Sequence, residues 1–255
     1  MFPFQISITT GHLTTWAASL LLAFAASVDA QGLAPFSKTE SDTVPAPWRL
    51  VGLPKGKAPL AQIEVVKLGD DRVLKLATDK SYGTALHELK PVVLGLGSTL
   101  KWRWRLEQPL AAADLKIKEG DDAPLKVCAM FDMPLDKLKF LERNLMRLAR
   151  SVSGEKLPAA TLCYVWDHKL AVGAELPNAY SPRLRFVVLD SGEKKLGQWV
   201  IHERDLAADL QRAFGHEFVT PPPLIAIVVG ADSDNTQGAS LAYIGDVVLA
   251  VKPSE

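Results

Sequence analysis

A chain of 255 residues, 48% apolar and 23% charged, has the make-up of an ordinary globular protein with length enough for one sizeable core. Its 29 basic and 29 acidic residues balance, which argues against nucleic acid as the main ligand, because phosphate neutralisation normally leaves a strongly basic domain.

Residues 1–30 hold no Lys or Arg and one acid, Asp29. From Trp16 to Val28 the chain is almost wholly apolar. That run is shorter than the about 20 residues needed to cross a bilayer core of about 30 Å. It closes on Val28-Asp29-Ala30, a small-residue cleavage pattern. We read residues 1–30 as a secretory signal peptide, although only the α-amino group and His12 supply positive charge before the apolar core. The expected location is therefore periplasmic or secreted, with Gln31 as the mature start. In that setting Cys128 and Cys163, each inside an expected strand, either form a disulfide or stay as buried thiols.

Residues 31–47, with Pro35, Pro45 and Pro47, read as a flexible lead-in, and residues 48–252 as one domain. Val65 and Val66, then Val73 and Leu74, flank Gly69-Asp70-Asp71 as a hairpin. A third strand runs over residues 82–89, with Pro91 as its stop. Residues 100–107 alternate without a fault. Leu100, Trp102, Trp104 and Leu106 occupy one face, Lys101, Arg103, Arg105 and Glu107 the other. A fully charged opposite face makes the Trp face core rather than a stacking platform.

After a strand at residues 125–131, Pro134 opens an amphipathic helix on which Leu135, Leu138, Leu141, Leu145, Leu148 and Val152 keep helical spacing. Its Lys139, Arg143, Arg147 and Arg150 form a basic stripe. We read the stripe as the solvated face of a helix packed on a sheet, in preference to a membrane-binding surface. Residues 161–166 are again a strand, so the helix is an insertion between neighbours. Residues 183–189 and 198–202 suggest a hairpin around Ser191-Gly192, and Asp205 caps a short helix ended by Gly215. Two apolar runs, residues 224–231 and 241–251, close the chain as buried strands around the polar loop Asp232-Ser233-Asp234-Asn235.

The sequence lacks a GxSxG elbow, a Walker-type loop and an HExxH helix, and its histidines show no metal-site spacing. The acids are what remain. Asp232, Asp234 and, in the last strand, Asp246 are the oxygen set that would suit Ca²⁺, while acids and amides in such loops also serve simply as turn formers.

The segments Leu100-Lys-Trp-Arg-Trp-Arg-Leu106, Lys118-Glu-Gly-Asp-Asp122, Leu162-Cys-Tyr-Val-Trp-Asp167, Pro177-Asn-Ala-Tyr180, Asp232-Ser-Asp-Asn-Thr236 and Tyr243-Ile-Gly-Asp246 resemble domain-of-unknown-function family 3047. The resemblance spans residues 48–251, implies export, and supplies no catalytic residues. A looser likeness is to jelly-roll carbohydrate-binding modules of the galactose-binding type, in which an acid near the closing strand often joins a structural Ca²⁺ site. The expected fold is an all-β sandwich of jelly-roll type, two antiparallel sheets with one inserted amphipathic helix and one short helix. The expected function is non-catalytic binding of a glycan or other extended cell-envelope polymer. Loop residues Asp121, Asp122, Trp166, Asp167, Asn178, Tyr180, Arg185, Asp232, Asp234 and Asn235 would line the site. The rivals are a polysaccharide-acting enzyme with paired carboxylates and a structural, partner-binding envelope protein.

Overall fold

Alternating and β-branched stretches become strands along most of the chain. The computed structural model describes residues 1, 29–138, 140–153 and 158–252; the apolar core of the expected signal peptide lies outside them. The strands are β1 (Asp29–Gln31), β2 (Arg49–Val51), β3 (Gln62–Leu68), β4 (Asp71–Asp79), β5 (Tyr82–Val92), β6 (Thr99–Gln108) and β7 (Lys126–Phe131). Helix α1 (Phe140–Ser153) follows, then β8 (Ala160–Asp167), β9 (Glu175–Pro177), β10 (Leu184–Ser191) and β11 (Val200–Asp205). Helix α2 (Leu206–Phe214) precedes β12 (Leu224–Asp232), β13 (Ala239–Ile244) and β14 (Val248–Val251).

Two seven-stranded sheets face each other as a β-sandwich of jelly-roll type. In the first, β6 carries β11 on one edge and both β13 and β14 on the other, with β4 and β3 beyond β13 and β1 beyond β14. The second runs β2-β5-β12-β7-β8-β10-β9. Between them lies the main core. Trp102 and Trp104 of β6 pack with Tyr164 and Trp166 of β8, at ring separations of 5.2 and 6.2 Å. The charged side chains of β6 point outward, as the alternation requires. A smaller apolar cluster covers the outer face of the second sheet, where Leu115 and Ala123 fold over Cys128, Val165, Val188 and Val228. Central strands β8 and β12 are thus buried on both faces, which is why they read as unbroken apolar runs.

Cys128 and Cys163 stand opposite each other on β7 and β8 and form a disulfide in that outer cluster. The open choice between disulfide and buried thiols is resolved for the bond. Denatured protein is expected to take up no maleimide until a reductant is added and two equivalents afterwards, as read by intact mass.

Several expectations are corrected. Within the lead-in, Leu33 and Phe36 are buried, and Phe36 lies 5.2 Å from the Trp48 ring. Strand β5 runs through Pro91 to Val92. The sheets are not wholly antiparallel, since β8 and β10 run parallel. Strands β10 and β11 belong to different sheets and make no hairpin. The closing strand breaks at Gly245, whose N–H bonds Arg103 O, so that β13 and β14 share one edge of β6.

The inserted helix departs most. Pro134 precedes a single 3-10 turn, Leu135–Lys137, and α1 starts only at Phe140. Leu138 is buried, but Leu141 and Leu148, expected in the core, are 70% and 60% exposed. Leu145 and Val152 lie outside the described side chains; among those described, Met146 is buried and Glu142 turns inward, 3.7 Å from the Arg183 guanidinium. Periodicity showed which residues share a face, not which face turns inward.

Candidate functional site

One end of the sandwich gathers acids from two loops and an amide and a tyrosine from a third. Strand β12 ends at Asp232, beside the first residue of β5, Tyr82, in register. The Asp232 carboxylate accepts from Ala123 N–H at 2.7 Å and from the Lys126 ammonium at 2.7 Å. Lys126 in turn lies 4.9 Å from the centre of the Tyr82 ring. Burial disfavours the ammonium, but the charge of Asp232 outweighs it and holds the Lys126 pKa above its ordinary value. This buried pair ties β12 to β7.

Asp122 ties the next two strands' loop to it. Its oxygens accept from Asn235 N–H (3.1 Å), Thr236 N–H (2.7 Å) and Thr236 Oγ1 (2.5 Å). The turn bearing Asp121 and Asp122 depends on Gly120, where a Cβ would come within 2.9 Å of the Asp114 backbone. Asp121 Oδ2 accepts from Asn178 Nδ2 at 2.5 Å, and Asn178 Oδ1 accepts from Tyr180 N–H and Ser181 N–H in an Asx turn. Asn235 Nδ2 completes the join on Asp121 O at 3.1 Å.

A cavity of about 350 Å³ opens here, lined by Leu53, Pro54, Lys57, Tyr82, Asp121, Tyr180, Asp232, Asp234 and Asn235. One of its acids keeps unused capacity and a second is strained by its neighbours. Asp121 Oδ1 is buried with no hydrogen-bond partner, and burial lifts the Asp121 pKa to about 6. Asp234 is half-buried, and burial together with the charge of Asp122 raises its pKa too. Tyr180 stands 59% exposed at the rim, its hydroxyl on Lys118 O at 3.1 Å.

Of the residues singled out in sequence, Asp121, Asp122, Asn178, Tyr180, Asp232, Asp234 and Asn235 are brought together. The others lie elsewhere. Trp166 is buried between the sheets, donating Nε1–H to Gly192 O. Asp167 is buried and accepts from Lys169 and Leu170 N–H, closing the turn after β8. Arg185 bonds Ala213 O and Glu217, lies over the Phe214 ring, and lines a different cavity with Arg212 and His216. Lys126 and Tyr82 were missed because both sit inside strands, and the register that carries them to Asp232 has no mark in sequence.

Three carboxylates, Asp122, Asp232 and Asp234, each offer an oxygen within 4.8 Å of the others. Asp246 is not among them: it accepts from Ser37 N–H and Oγ at 2.9 and 2.5 Å and pins the lead-in. The donor set fits a dication poorly. Both oxygens of Asp122 and of Asp232 are taken by protein donors, and Lys126 already brings Asp232 the positive charge a Ca²⁺ ion would supply.

Fold and site together define a β-sandwich with an acid-lined, aromatic-rimmed pocket at one end. The chain belongs to the DUF3047 family, described as a protein of unknown function, whose model matches residues 46–248. No curated protein matches it in sequence. Among solved structures it is similar to the glycoside hydrolase domain of Endo-D from Streptococcus pneumoniae, at 10% identity and TM-score 0.33. That match covers 79% of this chain and only 21% of the other. It is also similar to endoglucanase 3 of family GH12 from Trichoderma harzianum, at 7% identity, TM-score 0.41 and coverages of 82% and 99%. The cellulose induced protein Cip1 matches at 10% identity and TM-score 0.37, covering 80% of this chain and 90% of that one. No residue role is carried over from any of them.

Proposed function

We propose that this is an exported protein, periplasmic or secreted, that binds a glycan of the cell envelope without cleaving it, in the pocket between Asp121, Tyr180 and Asn235. The observation that carries the reading is an acceptor the fold leaves unused, Asp121 Oδ1, with the half-buried Asp234 carboxylate and an exposed Tyr ring lining the same cavity. Sugar hydroxyls supply donors to such acceptors, and the apolar face of a pyranose packs on an aromatic ring. The Cys128–Cys163 bond and the apolar N-terminal segment support export. Binding on this reading is independent of Ca²⁺, because Lys126 serves Asp232.

One observation favours a second reading. A carboxyl with a pKa of about 6, such as Asp121, is suited to donate a proton in glycoside hydrolysis. Co-sedimentation of the protein with insoluble polysaccharides and peptidoglycan, with and without chelator, separates the readings. Retention on one polymer, unchanged by chelator and without release of reducing ends, is expected. Released sugar would replace binding by catalysis, and loss in chelator would restore a metal to the loop at Asp234.

A further inference from the structure

Among the described side chains of helix α1, three large apolar ones turn outward. Phe140 and Leu141 are each 70% exposed and Leu148 is 60% exposed, while the helix holds to the body through Met146 and the Glu142–Arg183 ion pair. Arg183 is itself buried and bonds Glu217 at 2.5 Å, in the short turn that leads towards β12. Just after that turn Val219 is a further exposed apolar side chain.

Topology puts these features at one pole. Helix α1 leaves from the end of β7, and residues 215–223 feed the start of β12, where Leu224 pairs with Phe131 and Asp132 N–H bonds Pro223 O at 3.0 Å. The acid pocket sits at the other ends of the same two strands, where Lys126 meets Asp232. At 3.3 Å per residue the six residues of β7 separate the two poles by about 17 Å or more.

Charge identifies what covers this pole. Residues 136–153 carry five basic side chains and two acids, and one of the acids, Glu142, is turned inward onto Arg183. Arg147 stands exposed beside the apolar residues, and Arg143 lies 5.6 Å from the Phe140 ring. An outward apolar strip flanked by cations, on a helix lying along the surface, matches the interface of an anionic bilayer: side chains such as Leu141 and Leu148 enter the acyl boundary and arginines meet the headgroups. We infer that α1 is an interfacial helix that docks the protein on an anionic lipid surface, leaving the acid pocket facing away from the membrane.

The test is sedimentation of the processed protein, as recovered from expressing cells, with phosphatidylglycerol or phosphatidylcholine vesicles. Retention on phosphatidylglycerol about tenfold above phosphatidylcholine is expected, falling in 0.5 M salt, roughly the effect of two or so arginines near an anionic surface. The Leu141→Glu/Leu148→Glu variant should lose it. Both side chains are exposed, so near-UV circular dichroism from the buried Trp residues should not change. Wild-type protein that ignores phosphatidylglycerol overturns the proposal, as does a variant retained equally well. A dimer that dissociates in the variant, without vesicle binding, would give the face to a second copy of the chain instead.

Discussion

Replacing Lys126 with Met is expected to cost about 3–5 kcal/mol, the usual loss when one partner of a buried ion pair is removed. Asp232 would be left buried, with one oxygen on Ala123 N–H and the other without a donor. Met approximates the stem of Lys in length, so lost packing against Tyr82 contributes little. A urea titration followed by Trp fluorescence reads the loss as a lower midpoint. Adding Asp232→Asn should recover part of it, since the amide oxygen still accepts from Ala123 and no charge remains buried. A Lys126→Met protein as stable as wild type would mean that the pair does not hold β7 to β12. The same reasoning withdraws Asp232 as a probe of binding. Its substitution by Ala loosens the scaffold and would lower affinity for that reason alone.

Asp121 is expected to behave in the opposite way. Its carboxyl, near pKa 6 when folded and 3.8 otherwise, favours the protonated form in the native state. Well below pH 3.8 both states are protonated and nothing is lost. As pH rises to about 6 the unfolded chain has already released its proton, and the folded protein forfeits about 3 kcal/mol, fully so above that. Asp121→Asn should therefore stabilise the protein by up to about 3 kcal/mol at pH 8 and by only about 0.5 kcal/mol at pH 4. Thermal melts at the two pH values measure it. Asp190 works the other way round. Burial would raise its pKa, but hydrogen bonds from His202, Lys195 and Trp104 hold it low, so its contribution is present above about pH 4 and fades below. On the proposed function, a buried acid that lowers stability at neutral pH is there to meet a ligand. No gain at pH 8 would remove that argument from Asp121.

The sheet content and much of the pocket could be read from sequence for a simple reason. Polar residues at strand ends, such as Asp121, Asn178 and Asn235, sit in loops because their side chains satisfy turn backbones, and loops at one end of a sandwich converge. Pairing across the sheets was out of reach. Nothing local to Lys126 or Tyr82 announces Asp232, and nothing local to Asp246 announces Ser37. Trp166 and Asp167 end β8, yet Trp166 faces the core between the sheets and Asp167 closes the turn that follows, so both are buried. For α1 the spacing of Leu141 and Leu148 gave the stripe correctly. The side that turns inward carries Glu142, whose partner Arg183 is remote in sequence.

The claim at the centre is that the pocket beside Asp121 binds an extended polar polymer. Its most direct test is retention of Tyr180→Ala and Asp234→Asn proteins on whichever polysaccharide holds the wild type. Tyr180 is exposed and Asp234 is half-buried, so urea midpoints should stay within about 0.5 kcal/mol of wild type. Losing the ring stack or one carboxylate acceptor should weaken binding about tenfold or more in each. Two variants as stable as wild type and retained as strongly would contradict the account and move binding, if any, to another face.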